Sequence, residues 1–287
     1  MKYLIHILIF VFLMVASSCE ENIDVNLNTG EQQRLVVEGG ITTQAGKSHQ
    51  VKLTSTTDYF SEKEIPAVTH ASVMLSDGKQ QYTLSETSPG IYQTDSTEFT
   101  ATTGKTYRLD IQLDNGEEYW AEEKLSYVPT IDTAGYEFKR GFFGEYYYYS
   151  ITFSGKEKPT DGDTYLWNLY LDGKLYNDTL RESSFAEDDF IKGAYVENIE
   201  VYTIPEDEIN QDTTHVRLEI LSISHDYYVF MIEALSETAF RGGPFQTPPA
   251  NVSTNIRTTE ENPRPMGYFC ASDVSSYEFD LINVERP

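Results

Sequence analysis

The stretch Thr106-Tyr107-Arg108-Leu109-Asp110-Ile111-Gln112-Leu113 decides the fold class of this chain. Its apolar residues occupy every second position, which gives an extended strand one apolar face and one polar face. The turn signal Asp114-Asn115-Gly116 follows, and the segment Glu118 to Glu122 then runs back along the strand. The stretch therefore predicts an antiparallel β-hairpin with one buried face.

The segments before this hairpin repeat the same pattern at short intervals. Strand-like runs occur at Leu35–Ile41, His49–Ser55, Ala71–Leu75 and Gln81–Leu84. The turn signal Asp77-Gly78 joins the last two runs. Several short strands with no helical pattern between them predict a β-sandwich, which we place at residues 34–128.

The chain after this point is predicted to form a second, β-rich domain at residues 129–287. Its boundary is the segment Val128-Pro129-Thr130-Ile131-Asp132, where the first strand pattern ends. The acidic segment 182–193 is expected to be a long exposed loop. In the strand near residues 146–153, alternation predicts that one set of side chains points inward: Tyr147, Tyr149, Ile151 and Phe153.

One amphipathic helix is predicted near residues 225–241 of the second domain. Ser224 can cap its start, Asp226 suits its positive end, and Arg241 suits its negative end. Gly242-Gly243-Pro244 then stops it. Residues at helical spacing form its apolar face, which we expect to pack on the second sheet: Tyr228, Met231, Ile232, Leu235 and Ala239.

The N-terminus has the pattern of a secretory signal peptide, which we place at residues 1–18. Lys2 precedes a long apolar run that ends in the small residues Ala16-Ser17-Ser18. Cys19 stands at the expected cleavage point, so we predict a lipidated cysteine followed by a tether at residues 19–33. The apolar run is short for a transmembrane helix, which needs about 20 apolar residues. The protein is therefore expected to be anchored to a membrane through its lipid.

The composition of the chain is strongly acidic. Its 287 residues carry a formal charge of −25, and loss of Lys2 with the signal peptide gives −25 − 1 = −26. A basic patch is the usual mark of nucleic-acid binding, so we expect no nucleic-acid partner. The charge also disfavours electrostatic attachment to anionic lipid. It favours solubility through self-repulsion, with binding of cations or of a basic partner as the alternative.

Sequence signatures of catalysis are absent, and we predict neither an enzyme nor a bound cofactor. There is no nucleophile elbow, no zinc-protease motif and no phosphate-binding glycine loop. The histidines of the mature chain are scattered, at His49, His70, His215 and His225. We therefore predict no metal site at these residues.

Two acidic segments and one cysteine keep alternatives open. Asp161-Gly162-Asp163 and Glu187-Asp188-Asp189 offer oxygens to calcium, but neither fits the spacing of a calcium loop, and a turn and a solvated loop are the simpler interpretations. Cys270 lies in the apolar run Met266–Ala271, so we expect a buried, inert thiol. A catalytic thiol would instead need a nearby base.

Aromatic residues suggest a different kind of site. Exposed aromatic rings can stack on sugar rings, whereas buried ones pack in the core or across strands. The candidates for either role are Tyr146, Tyr148, Trp120 and Trp167.

Landmarks along nearly the whole mature chain resemble envelope lipoproteins of Bacteroidota that carry the domain of unknown function 4249. These landmarks are Cys19–Asp24, Leu35–Ile41, Val51–Leu53, Thr57–Phe60, Ala71–Asp77, Gly104–Tyr107, Val128–Asp132, Pro244-Phe245, Asn255-Ile256 and Gly267–Phe269. The chain departs from the pattern at Arg257–Met266, where such proteins often have a glycine-rich turn. Any function tied to that turn is in doubt here. The resemblance implies an immunoglobulin-like N-terminal sandwich and a location beside TonB-dependent outer-membrane receptors, and it implies no catalytic residue.

These observations favour a lipid-anchored, non-catalytic accessory protein of the outer membrane, exposed at the cell surface. It would dock on a TonB-dependent transporter or capture a ligand for it. The alternative is a free-standing surface module that adheres to or binds a glycan; a peptide is a further possible ligand. An envelope hydrolase is the third hypothesis, and it would need a concave site that joins acids or Cys270 to a histidine.

Overall fold

A computed structural model describes residues 33–57, 64–142, 144, 146–159, 162–188, 193–239, 251–259 and 264–284. The signal peptide, Cys19 and the tether as far as residue 32 lie outside the described residues. The strands of the first half are β1 (Leu35–Thr42), β2 (Gln50–Ser55), β3 (Ser72–Ser76), β4 (Gln81–Ser88), β5 (Ile91–Gln93), β6 (Thr106–Gln112) and β7 (Glu118–Lys124).

The second half supplies the remaining elements. Its strands are β8 (Ile131–Arg140), β9 (Tyr147–Lys156), β10 (Asp163–Leu171), β11 (Lys174–Leu175), β12 (Ser184–Asp188), β13 (Tyr195–Pro205), β14 (Thr213–Ile223), β15 (Arg257–Thr258), β16 (Met266–Ser272) and β17 (Val274–Ile282). A 3-10 helix covers Glu206–Glu208, and the α-helix α1 covers His225–Ala239. The fold is mostly β, as the sequence predicts.

The first sheet curls around the first core, in the strand order β15-β7-β6-β3-β4-β5-β2-β1-β16. Its ladders are antiparallel except for β1 with β16, which pair in parallel. Tyr107, Leu109 and Ile111 of β6 lie in the core, at most 2% exposed. The hairpin prediction is therefore confirmed, and the sheet has the sandwich-like form expected; the immunoglobulin-like topology stays a prediction.

Two strands of the first sheet come from the end of the chain. β16 covers the edge of β1, and β15 pairs with the edge of β7. Ile256 and Phe269 from these segments are buried in the first core. The first sheet thus draws on both halves of the sequence, while the division at residues 128 and 129 stays a prediction.

The second core lies between two smaller sheets. One has the order β11-β10-β14-β17, with β12 also paired to β10, and the other has the order β13-β9-β8. Tyr149, Ile151 and Phe153 of β9 are buried, as alternation predicts, whereas Tyr147 is half-buried and stacks on Phe138 with ring centroids 5.4 Å apart.

Part of the segment 182–193 is not the exposed loop that its composition predicts, and residues 189–192 lie outside the described residues. Residues Ser184–Asp188 form β12, which pairs with β10 along its length. Phe185 of this strand contacts the ring of Tyr228, with centroids 5.7 Å apart. The prediction was wrong because a short edge strand with acidic residues has little apolar alternation, and its pairing depends on the exposed edge of β10.

The helix begins as the sequence predicts. The backbone N–H of Tyr227 donates a hydrogen bond to Ser224 Oγ at 3.2 Å, which caps the first turn. Its predicted end at Arg241 lies outside the described residues. Met231 is buried, but Ile232 is exposed and does not belong to the packed face. No helix among the described residues is long and apolar enough to cross a membrane.

The helix packs differently from the expectation. Besides β10 and β12 of the second half, it contacts β16 of the first sheet. The rings of Tyr227 and Phe230 lie against Tyr268 of β16, with centroids 4.9 and 5.3 Å away. The helix therefore joins the two halves of the body, rather than covering the second sheet alone.

Candidate functional site

Strand β9 separates the second core from a polar surface. Its inward residues are apolar, whereas Ser150, Thr152 and Ser154 point to the opposite side of the three-stranded sheet. We call this surface the outer face. Its members are Thr133, Gly135, Glu137 and Lys139 on β8, Tyr146 and the even-numbered residues 148–154 on and before β9, and Asn198 and Glu200 on β13.

An open groove of about 230 Å³ lies at one end of the outer face. Its polar lining is supplied by Thr133, Glu137, Thr152, Ser154 and Asn198. Thr152 and Ser154 are each 7% exposed, so their hydroxyls form the floor, and the exposed residues form the rim. A groove smaller than the usual ~300–1,000 Å³ of small-molecule sites suits part of an extended ligand rather than a whole enclosed one.

Backbone geometry shapes the groove at two positions. Asn198 has a left-handed backbone with φ 53°, and it lies within an irregularity in the pairing of β13 with β9, between Val196 and Ile199. Its N–H donates to Ser154 Oγ at 3.0 Å, which fixes the rim against the floor. At Gly135, a Cβ atom would meet no heavy atom within 4 Å, so this glycine leaves the middle of β8 open.

A charged network occupies the centre of the outer face. Lys139 Nζ lies 3.1 Å from a carboxylate oxygen of Glu137 and 3.3 Å from one of Glu200, and it donates to Ser150 Oγ at 3.0 Å. Ser150 Oγ also donates a short hydrogen bond to Glu200. The hydrogen bond with Glu137, chiefly, raises the pKa of Lys139. The lysine therefore stays charged and neutralises part of the acidic charge here.

An aromatic pair lies at the other end of the outer face. The rings of Tyr146 and Tyr148 have centroids 5.9 Å apart and are inclined by 33°. Tyr146 is 56% exposed, and its ring lies over Gly141, where a Cβ atom would be only 2.5 Å from two ring carbons. Glycine at position 141 thus permits this ring position. Tyr146 is therefore exposed at the surface, whereas Tyr148 is half-buried.

The two tryptophans named by the sequence are less accessible. Trp167 is buried in the second core, with its ring 6.1 Å from that of Phe153, so its predicted alternative as a sugar-stacking residue was wrong. Trp120 is half-buried on the first sheet, where the guanidinium of Arg108 lies 5.4 Å from its ring. Bulk and β propensity alone do not tell which side of a strand an aromatic residue occupies.

The two acidic segments meet at the edge of β10. Asp163 and Asp188 are cross-strand partners, and Lys158 Nζ donates to Asp163 Oδ1 at 2.6 Å. Glu157 accepts a hydrogen bond from the Tyr165 hydroxyl at 3.0 Å, and burial, chiefly, raises the pKa of Glu157. Among the described residues, no group of three or more acids, histidines or cysteines is arranged to hold a metal ion. Asp161 and Asp189 lie outside those residues.

Cys270 is half-buried, not fully buried as the sequence predicts, and it has the environment of a structural thiol. It faces Gly40 across the β1–β16 ladder, where a Cβ atom would come within 2.5 Å of its Sγ. Burial, chiefly, raises the pKa of the thiol to about 12. The thiol therefore stays protonated at neutral pH, and only the thiolate is an effective nucleophile.

A buried carboxyl lies close to this cysteine. Glu123 of β7 accepts a hydrogen bond from Asn255 Nδ2 at 3.0 Å. Burial raises its pKa, and hydrogen bonds from Ser224, Asn255 and Tyr268 act in the opposite direction. These contacts connect β7 to β16 and to the start of α1. The sequence did not single out Glu123, because burial of one acid in an acidic strand leaves no sequence signal.

The four described histidines occupy different places in the fold. His49 precedes β2 and is buried, and burial lowers its pKa to about 4. His215 lies on β14, where its hydrogen bond with Asp280, chiefly, raises its pKa. His225 begins α1 and lies 3.0 Å from Glu187. His70 precedes β3, in a left-handed backbone conformation.

The fold and these sites define a mostly β, sandwich-like protein that presents one open polar sheet face with an aromatic end. Residues 20–278 match the family described as "Domain of unknown function (DUF4249)". The chain belongs to this family. No curated protein matches it.

Among solved structures, we report one with a distant similarity. It comes from a study of how a 1.5-MDa bacterial ice-binding adhesin is retained at a host cell surface. The two chains are 12% identical, with a TM-score of 0.19, over 86% of this chain and 64% of that one. This chain therefore spans less than two thirds of that structure, and a similarity of this extent carries no argument about fold or function.

Proposed function

We propose that this protein is a lipid-anchored, non-catalytic accessory protein of the bacterial outer membrane. In this role it captures a ligand for a TonB-dependent transporter, or docks on that transporter. The body is held at the membrane by the lipid on Cys19 and stands away from it on the segment 19–33. The outer face of the three-stranded sheet is the surface that meets the ligand.

The observation that carries the proposal is the chemistry of the outer face. It offers hydroxyls, an amide, a paired lysine and exposed tyrosine, which are groups that bind and orient a ligand. Nucleophilic catalysis needs a nucleophile within hydrogen-bond reach of a base. Cys270, the candidate nucleophile of the sequence, is a protonated thiol on another sheet. The described groups thus favour binding over hydrolysis.

The location in the proposal is supported by the sequence. The charged residue Lys2, the apolar run and the small residues before Cys19 form a lipoprotein signal. The acidic pair Glu20-Glu21 directly after the cysteine is compatible with export to the cell surface, by resemblance to lipoproteins of Bacteroidota.

The test is a mild-detergent pull-down of the tagged, lipidated protein from native membranes, followed by mass spectrometry. We expect a TonB-dependent β-barrel in stoichiometric amount. The matched control is Cys19→Ser, which removes the lipid site. We expect this variant to be absent from the membrane fraction. Recovery of the lipidated protein alone would contradict the association with a transporter.

A free-standing glycan-binding module is the second candidate. The exposed Tyr146 ring beside Tyr148 favours it, because paired aromatic rings at a surface suit stacking on sugars. The two candidates share the anchor and differ in the partner. A protein that is recovered alone yet is retained by a polysaccharide would support this second candidate.

A further inference from the structure

We infer that the outer face of the three-stranded sheet is a binding site for an uncharged glycan chain. Tyr146 and Tyr148 would stack on one sugar ring, and the groove around Gly135 would hydrogen-bond the hydroxyls of another. The inference rests on the proposed function, because it names the ligand that such a protein captures.

The aromatic end supplies the apolar contact that a sugar needs. A sugar ring carries C–H groups on its faces and hydroxyls around its edge, so it matches an aromatic ring beside polar groups. Tyr146 exposes more than half of its surface, and Tyr148 lies 5.9 Å away between their ring centroids. Tyrosine also keeps its hydroxyl available for a hydrogen bond at the edge of the site.

The groove supplies the polar contact. Hydroxyls of Thr133, Thr152 and Ser154 both donate and accept hydrogen bonds, and the amide of Asn198 adds separate donors and acceptors. Sugar hydroxyls need both kinds of partner. Ser154 lies six positions after Tyr148 on β9, which is about 20 Å at ~3.3 Å per residue. The distance suits a chain of several sugars rather than a single one.

The charge pattern decides between an uncharged glycan and a charged one. Lys139 is already paired with Glu137 and Glu200, so it is not available as a strong anion site. The whole chain has a formal charge of −25, which repels acidic polysaccharides. The same lysine lies between the two carboxylates and reduces their attraction for a cationic ligand. An uncharged, polyhydroxylated chain fits these groups best.

Gly135 provides a way to close the groove without disturbing the sheet. An added Cβ atom would meet no heavy atom within 4 Å, and this glycine does not need a left-handed backbone. Gly135→Ile fills the space with a branched, strand-favouring side chain that cannot stack on a sugar. The variant is therefore expected to fold and to lose the ligand.

The test is affinity electrophoresis of the full-length protein, solubilised in mild detergent, in gels that contain a neutral polysaccharide: a β-glucan, a xylan, a galactomannan or starch. We expect retardation by at least one of them. Gly135→Ile and Tyr148→Ala should each weaken the apparent affinity at least about tenfold, which corresponds to ~1.4 kcal/mol. The matched control is Trp120→Ala, which removes a half-buried aromatic ring from the first sheet and should leave retardation unchanged.

Thermal unfolding of each variant separates loss of the site from loss of the fold. A variant with an unchanged melting temperature and lost retardation supports the site. No retardation by any of the four polysaccharides would overturn the inference. Retardation that persists in both outer-face variants, or that disappears in Trp120→Ala alone, would show that the glycan binds outside the outer face and would overturn the inference. Retardation only by an acidic polysaccharide such as alginate would overturn the uncharged class.

The failure of this inference is distinguishable from failure of the proposed function. A protein that co-purifies with a β-barrel but binds no glycan keeps the accessory role and loses this ligand. A protein that binds glycan but is recovered alone keeps the ligand and loses the transporter.

Discussion

The solvent-facing side of the first sheet and the outer face of the three-stranded sheet arise in the same way, but their side chains form different surfaces. Both follow from alternation along a strand that buries its other side. On β6 and β7, Arg108 contacts Asp110 at 2.8 Å and Glu122 at 3.1 Å, and it lies over Trp120. On β8 and β9, small side chains leave a groove instead. The difference shows that alternation decides which side is buried, while side-chain size and pairing on the other side decide whether a ligand has room.

The largest expected effect tests whether the two sides of β6 differ as this comparison requires. Leu109→Ala removes a fully buried side chain and should lower the free energy of unfolding by about 2–5 kcal/mol. Arg108→Ala on the opposite side should cost at most about 1 kcal/mol, because exposed ion pairs contribute little. Urea unfolding followed by circular dichroism measures both. Equal losses would show that the outer ion pairs matter as much as the core.

The next effect compares a glycine of the first sheet with the glycine of the groove. Gly267 has φ 87°, and a Cβ atom there would overlap the carbonyl oxygen of Val37 on β1. Gly267→Ala should therefore destabilise the protein by about 1–3 kcal/mol or more. Gly135→Ala should stabilise it slightly, by about 0.4–1 kcal/mol, because it only restricts the unfolded chain. If the two variants shifted the melting temperature in the same direction, this would contradict the difference between Gly267, where a Cβ atom has no room, and Gly135, where it has.

The smallest effect concerns neighbouring acids on β7, of which one points outward and one is buried. Burial raises the pKa of Glu123 in the folded state above its ordinary value of 4.5, whereas Glu122 lies exposed beside Arg108. At pH values between the ordinary pKa of Glu123 and its raised folded-state pKa, this carboxyl binds more protons in the folded state than in the unfolded state. The Glu123 contribution to stability is therefore fully present below about pH 4.5 and is lost as pH rises through the folded pKa.

Glu123→Gln removes this titration, so the difference in unfolding free energy between the variant and the native protein should change with pH in that window. The control is Glu122→Gln, the same change at the exposed neighbouring position. The measurement is urea unfolding from pH 4 to pH 8, at about one-unit steps, a range that begins near the ordinary pKa of a glutamate carboxyl and extends above it. A flat difference for Glu123→Gln would mean that the carboxyl is not desolvated by folding.

Much of the body follows from local sequence pattern. The alternation at Tyr107, Leu109 and Ile111 predicted a strand and its buried side, and the structure confirms both. The cap at Ser224 and the inward set at Tyr149, Ile151 and Phe153 were equally readable. Each of these features depends on neighbours within a few residues along the chain, which is the range over which a sequence pattern carries information.

Other features required contacts between distant segments. The pairing of β16 with β1 joins residues more than two hundred positions apart, and the meeting of Asp163 with Asp188 depends on β12 adding to an edge. The alternative for Trp167 as a surface ring failed for the same reason, because the facing sheet covers it.

The sequence by itself determined the fold class, the side of each strong strand that is buried, the start of the helix and the proposed lipid anchor at Cys19. Only the tertiary structure decided which strands became neighbours, and hence that Gly135, Thr152, Ser154 and Asn198 line one groove. The physical reason is that alternation encodes burial locally, whereas a groove is the space left between side chains of separate strands. That space depends on strand order and register, which no single strand specifies.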